Sequence, residues 1–287
     1  MLEIITHVLL HSLEETAKLL PFLFLTYLLM EFLEHKAAQK TADITARAGV
    51  FGPFAGGLLG AVPQCGFSAS ASNLYAGGII SVGTLIAVFL STSDEMLPVM
   101  LSEKVAFTRI LSLLAVKVVS GMLIGFLIDL IFRLAKRSPR KAHNADICTN
   151  EHCGCENGIF RSALVHTLQI AGFIFLFSLL VGGIVEIVGE DTLAEFAAKA
   201  GIFSTLVCGL VGLIPNCASS VVLTELFLDG VIGTGSVLAG LLSGSGVGLL
   251  VLFRVNKNVK ENLLVTAVIY AVGVLIGIGF DLLGIVF

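Results

Sequence analysis

Residues 262–287 read NLLVTAVIYAVGVLIGIGFDLLGIVF, a run in which Asp281 is the single charge. A helical crossing of a bilayer needs ~20 consecutive apolar residues, so this run alone places the chain in lipid. Similar runs recur near residues 15–34, 48–62, 65–78, 81–101, 106–132, 162–187, 201–214, 217–229 and 233–252. The whole chain of 287 residues is 56% hydrophobic and 13% charged, where a soluble domain carries about 25% charge. The runs are continuous, not alternating, which excludes a transmembrane β-barrel. The fold class expected is an all-α polytopic membrane protein. The start, MLEIITHVLL, lacks a basic n-region and a small-residue cleavage site, so no removable signal is expected. Trp is absent, leaving Tyr, Lys, Arg and Phe to anchor the interfaces.

The chain matches itself at an offset of 152 without gaps. Between residues 57 and 93, 14 of 37 positions are identical to their counterparts. Pro63 meets Pro215, Cys65 meets Cys217, Ser68 meets Ser220, Gly83 meets Gly235 and Ser91 meets Ser243. The register persists downstream, where Gly121, Gly125 and Asp129 meet Gly273, Gly277 and Asp281. Coincidence between two Leu- and Gly-rich segments does not account for shared Pro, Cys and Asp. The expected organisation is repeat one at 1–132, a linker at 133–161 and repeat two at 162–287.

Charge gives the orientation. Lys and Arg mark cytoplasmic loops, and 12 of the 17 basic residues fall in the loops 35–47, 133–161 and 254–260. The loop after the first span of repeat one is basic, whereas its counterpart at 189–200 holds Glu190, Asp191 and Glu195 against Lys199. The halves thus face opposite ways and each crosses an odd number of times, five by the apolar runs. The expectation is an inverted-topology repeat of five plus five segments, as in secondary transporters. Both termini are then outside and the linker 133–161 is cytoplasmic. Segments 48–62 and 65–78 are short for full crossings and read as a broken or re-entrant hairpin.

The Pro-x-Cys phrase sits at that hairpin tip, as GAVPQCGFSAS and again as GLIPNCASSVV. Non-helical backbone at membrane depth is tolerated only where it is buried or lines a cavity. Pro63 and Pro215 are helix breaks, and Cys65 and Cys217 are expected at the N-termini of the helices that follow. There the helix dipole favours thiolate, the form that binds metal. Gln64 and Asn216 add matching amides, with Ser68 and Ser220 one turn on. The two tips are expected to meet near the midplane as one site. Plain helix packing is the competing account; it explains the Gly and Ser but not the paired Pro-x-Cys.

The fourth segment of each half carries Ser-x-Ser, at Ser91/Ser93 and Ser243/Ser245. Only repeat one adds Asp94 and Glu95. A carboxylate at membrane depth is costly and by default functional. Asn73 matches Glu225 in repeat two, which makes Glu225 a second carboxylate candidate. The linker reads HNADICTNEHCGCENG, with His143, Cys148, His152, Cys153 and Cys155 as candidate ligands for a soft metal; its other reading is a solvated linker. Lys117 lies inside an apolar span with no charged counterpart, and sequence does not choose between a paired and a snorkelling role. Asp129 and Asp281 near span ends read as structural. His7, His11, Glu14 and Glu15 read as an amphipathic start.

Paired Pro-x-Cys, the Ser/Asp break and a Cys/His loop between five-span halves resemble the ten-transmembrane heavy-metal exporters. This family is related in name to the arsenic-efflux permeases and also labelled as manganese transporters. VPQCGFSASASNLYAGGIISVGTLIAVFLSTSDEMLP and GLIPNCASSVVLTELFLDGVI carry the resemblance, which covers nearly the whole chain. It implies an inner-membrane exporter of a metal or metalloid. The two cysteines suit a Zn- or Cd-like ion or an arsenical; Asp94, Glu225 and the serine oxygens suit Mn.

The function expected is secondary transport by alternating access. Protons are the expected coupling ion and no cofactor is permanently bound. Partners are membrane lipid and the transported ion, with no nucleic acid and a homo-oligomer left open. No Walker motif is present, and no His accompanies either cysteine motif, so enzyme chemistry is not expected. Two rivals stand beside this: an anion or small organic substrate held by half-helix N-termini, and a membrane-anchored metal sensor or assembly factor working through the Cys/His loop.

Overall fold

The computed structural model describes residues 51–62, 65–93, 96–134 and 202–285, with individual helical positions between 9 and 28 and between 160 and 179. Among the described residues all regular structure is helical. Repeat one supplies α1 (Gly52–Gly60), α2 (Cys65–Ala76), α3 (Val82–Ser91), α4 (Met96–Ser102) and α5 (Phe107–Leu134). Repeat two supplies α6 (Ile202–Gly212), α7 (Cys217–Leu228), α8 (Thr234–Ser243), α9 (Gly248–Val255) and α10 (Val259–Leu283). The helices α7 to α10 each start 152 residues after α2 to α5. The turns repeat too: Gly78 and Gly230 close α2 and α7 with φ of 72° and 73°, a left-handed backbone that glycine adopts without a Cβ clash.

Four stretches are long and apolar enough to cross a membrane: Val82–Ser102, Phe107–Leu134, Thr234–Val255 and Val259–Leu283. The chain is a multi-pass membrane protein. The α5 helix, at 28 residues, is about 42 Å long at 1.5 Å per residue, more than the ~30 Å hydrocarbon core. Its most apolar window is 28% buried, as is that of α10, whereas the α3–α4 and α8–α9 windows are 75% and 89% buried. The long helices therefore present Leu111, Leu123, Leu127, Leu263 and Leu275 outward and the interrupted stretches form the centre. In lipid, close packing and internal hydrogen bonds hold such a bundle, because an apolar face gains nothing by leaving apolar tails.

Within each half the packing is the same. In repeat one α3 packs on α5 and α1, and in repeat two α8 packs on α10 and α6. Between halves it crosses over: α9 of repeat two packs on α2 of repeat one, and α4 of repeat one packs on α7 of repeat two. Both large apolar clusters mix the halves. One joins Met96, Met100 and Leu113 to Leu223, Leu238 and Leu241; the other joins Tyr75, Leu85 and Phe89 to Leu249, Leu252 and Ile269. The Tyr75 hydroxyl adds a polar tie, donating to Glu261 of α10.

Asp129 and Asp281 serve the helix starts. Asp129 on α5 accepts from the Gly83 N–H at 3.0 Å and from the Ser81 hydroxyl at 2.6 Å. Ser81 is the N-cap of α3 and itself accepts from the Thr84 N–H. Asp281 on α10 accepts from the Gly235 N–H at 2.9 Å and from the Thr205 hydroxyl at 2.8 Å. Repeat two has Gly233 at this N-cap, with no side chain to offer. Each aspartate thus satisfies an orphan donor in the first turn of a neighbouring helix and places negative charge at its positive end. The structural reading of this pair from sequence holds.

Candidate functional site

The α2 and α7 helices begin at Cys65 and Cys217. Behind them, α1 ends at Gly60 and α6 at Gly212, and the second Pro-x-Cys phrase spans the short gap between α6 and α7. In the second gap Pro215 is half-buried and Asn216 is 5% exposed. The gap is tied internally: the Asn216 N–H donates to Ile214, and the Ser219 hydroxyl donates back to the Asn216 carbonyl at 2.8 Å. Pro63, Gln64, Asp94 and Glu95 lie outside the described residues, as do the Cys65 and Cys217 side chains and the loop candidates His143, Cys148, His152, Cys153 and Cys155.

The central stretches are also broken. The α3 helix ends at Ser91 with Thr92 as its C-cap, where ψ of 124° leaves the helix; α4 starts at Met96. The α8 helix ends at Ser243, and Gly244, Ser245 and Gly246 precede the Val247 N-cap of α9. Ser91 and Ser93 and their counterparts Ser243 and Ser245 are all buried. The Ser91 hydroxyl bonds back to Ala87 and Val88 of its own helix. The Ser243 hydroxyl is buried with no hydrogen-bond partner among the described residues.

Packing joins each cysteine-led helix to the break of the other half. The Ser72 hydroxyl of α2 donates to the Gly248 carbonyl at 2.7 Å. Ser68 lies so close that a Cβ on Gly248 would stand 2.6 Å from the Ser68 Cβ. On the other side Ser219 and Ser220 of α7 share a cleft with Thr92 and Ser93 of the repeat-one break. The α2 helix thus meets the start of α9 just beyond the repeat-two break, and α7 meets the repeat-one break itself. Asn73 is buried on α2, whereas its counterpart Glu225 is on the exposed face of α7.

Lys117 belongs to this cleft and is 1% exposed. It reaches from α5 across both breaks. Its amine donates to the Thr92 carbonyl at the end of α3, and to the Leu241 carbonyl in the last turn of α8 at 2.8 Å. Both acceptors are carbonyls released where a helix stops. The sequence signal was a lone Lys in an apolar span; the Thr92 and Leu241 carbonyls are backbone atoms, which no residue letter reveals. Its counterpart at the 152 offset is Ile269, fully buried in an apolar cluster.

Among the described residues no three His, Cys, Asp or Glu side chains come together as a metal site. The cleft offers hydroxyl and carbonyl oxygens, the first turn of α7 and one amine. A family model described as "Putative, 10TM heavy-metal exporter" matches residues 7–192, more than half of the chain. No curated protein and no solved structure matches.

Proposed function

The chain belongs to the ten-transmembrane heavy-metal exporter family, and on that premise we propose a secondary transporter that exports a heavy-metal ion or metalloid by alternating access. The observation that carries the reading is the crossing. Each cysteine-led helix packs against the broken stretch of the opposite half, at Ser72–Gly248 on one side and at Ser219 and Ser220 against Thr92 and Ser93 on the other. A site shared in this way changes access when one half rocks against the other, because neither half owns all its walls. In this reading Cys65 and Cys217 supply thiolates, with Asn216, Ser220 and the backbone of the breaks supplying oxygens. Asp94 exchanges protons as the ion moves. The halves are inverted with respect to each other, and the linker 133–161 collects soft metal on the cytoplasmic side.

The test is flux in proteoliposomes loaded with a panel of Mn, Zn, Cd and trivalent arsenical, with pH set on each face. Cys65→Ser and Cys217→Ser are each expected to abolish flux of the transported species while the protein stays folded. Full flux through the double serine variant overturns the site.

A further inference from the structure

Lys117 has a role that does not depend on which substrate moves. We propose that its amine fills a monovalent-cation seat built from the two helix breaks, so that the protein carries its structural cation as a side chain. Carbonyls at the end of a helix have lost their N–H partners and hold the negative end of its dipole. Broken membrane helices commonly satisfy such carbonyls with Na⁺. Here the Thr92 carbonyl comes from the α3 break and the Leu241 carbonyl from the last turn of α8, one from each half. The amine that reaches both is buried. Lys117 stands ten residues into α5, about 15 Å along its axis, too far from the helix start to be explained by snorkelling.

The surroundings fit a hard cation. Thr92, Ser93, Ser219 and Ser220 line the cleft with hydroxyls, the oxygen donors that alkali and ammonium ions prefer. The arrangement is made once and not twice. The counterpart of Lys117 is Ile269 and that of Thr92 is Gly244, so a single amine serves both breaks from one side.

The test uses the purified full-length chain in detergent, with thermal unfolding followed by helical circular dichroism. Salts are NaCl, KCl, NH4Cl and choline chloride at one ionic strength, with methylammonium and propylammonium titrated separately. The wild-type chain is expected to unfold at one temperature in all four salts. Lys117→Ala is expected to unfold earlier in choline chloride. A saturable recovery of roughly 5–10 °C should follow with Na⁺, K⁺, NH4⁺ or an alkylammonium that fills the seat. Lys117→Arg keeps the charge and should behave as wild type; it carries the test should Lys117→Ala fail to accumulate. Specific stabilisation of the wild type by an alkali ion overturns the proposal. So does a Lys117→Ala chain indifferent to every cation, or a Lys117→Arg chain that acquires cation dependence. None of these readouts involves metal flux, so failure here is distinct from failure of the transport reading.

Discussion

The closest contact between α8 and α10 gives a sharp test of the packing. Gly277 and Gly279 lie two residues apart on α10. A Cβ on Gly277 would stand 2.4 Å from the Gly235 carbonyl, 2.8 Å from Thr205 Cγ2 and 2.9 Å from Ala239 Cβ, whereas a Cβ on Gly279 meets nothing within 4 Å. Both Gly→Ala changes gain the same helix propensity, about 1 kcal/mol at most. Only the first forces the helices apart. Restoring an ordinary 3.4 Å contact requires about 1 Å of separation. That movement stretches the 2.9 Å bond from the Gly235 N–H to Asp281 beyond hydrogen-bond range. The expected cost combines about 1–3 kcal/mol of overpacking with about 1 kcal/mol for the lost cap. After the propensity gain, Gly277→Ala should be destabilised by roughly 2 kcal/mol while Gly279→Ala is neutral or slightly stabilised. Thermal unfolding in one detergent, followed by circular dichroism, compares the two. Equal unfolding temperatures would refute the close approach of α8 and α10.

Two further expectations come from single hydrogen bonds. Asp129→Ala strands the buried Gly83 N–H and removes the acceptor of the Ser81 hydroxyl; a loss of about 1–3 kcal/mol is expected in the same unfolding assay. Ser72→Ala removes the bond to the Gly248 carbonyl between α2 and α9. It should cost about 1 kcal/mol and raise protease cutting near residues 244–247, without changing total helix content.

Much of the architecture was legible in the sequence, because it is a matter of apolar length and repetition. The offset of 152 read from Pro63, Cys65 and Asp129 reappears as helix starts spaced by the same number. The described helix breaks follow from Pro215 and the Ser- and Gly-rich phrases, which mark where backbone bonding cannot continue. The partner of each helix was not legible. Nearly every face of α2, α7 and α9 is apolar or small, and in lipid such a face states no preference for a neighbour. The exchange of α4 and α9 between halves therefore has no signature in hydropathy. Glu225 shows the same limit. Offset matching aligned it with the buried Asn73, but the buried side of α7 carries Ser220, Leu223 and Thr224, and Glu225 is turned away from it. Lys117 was visible as an anomaly and only the structure supplies its acceptors.

The exchange of short helices has a consequence for biogenesis. The cover for α2 comes from α9, and the Ser72 hydroxyl bonds across 176 residues to Gly248. During synthesis repeat one enters the bilayer with that cover still inside the ribosome. Until α9 arrives, the Ser72 hydroxyl has the Ser68 carbonyl of its own helix as its protein partner. Closure of the first half thus waits for α9, and truncation before residue 248 leaves both halves unfinished at once.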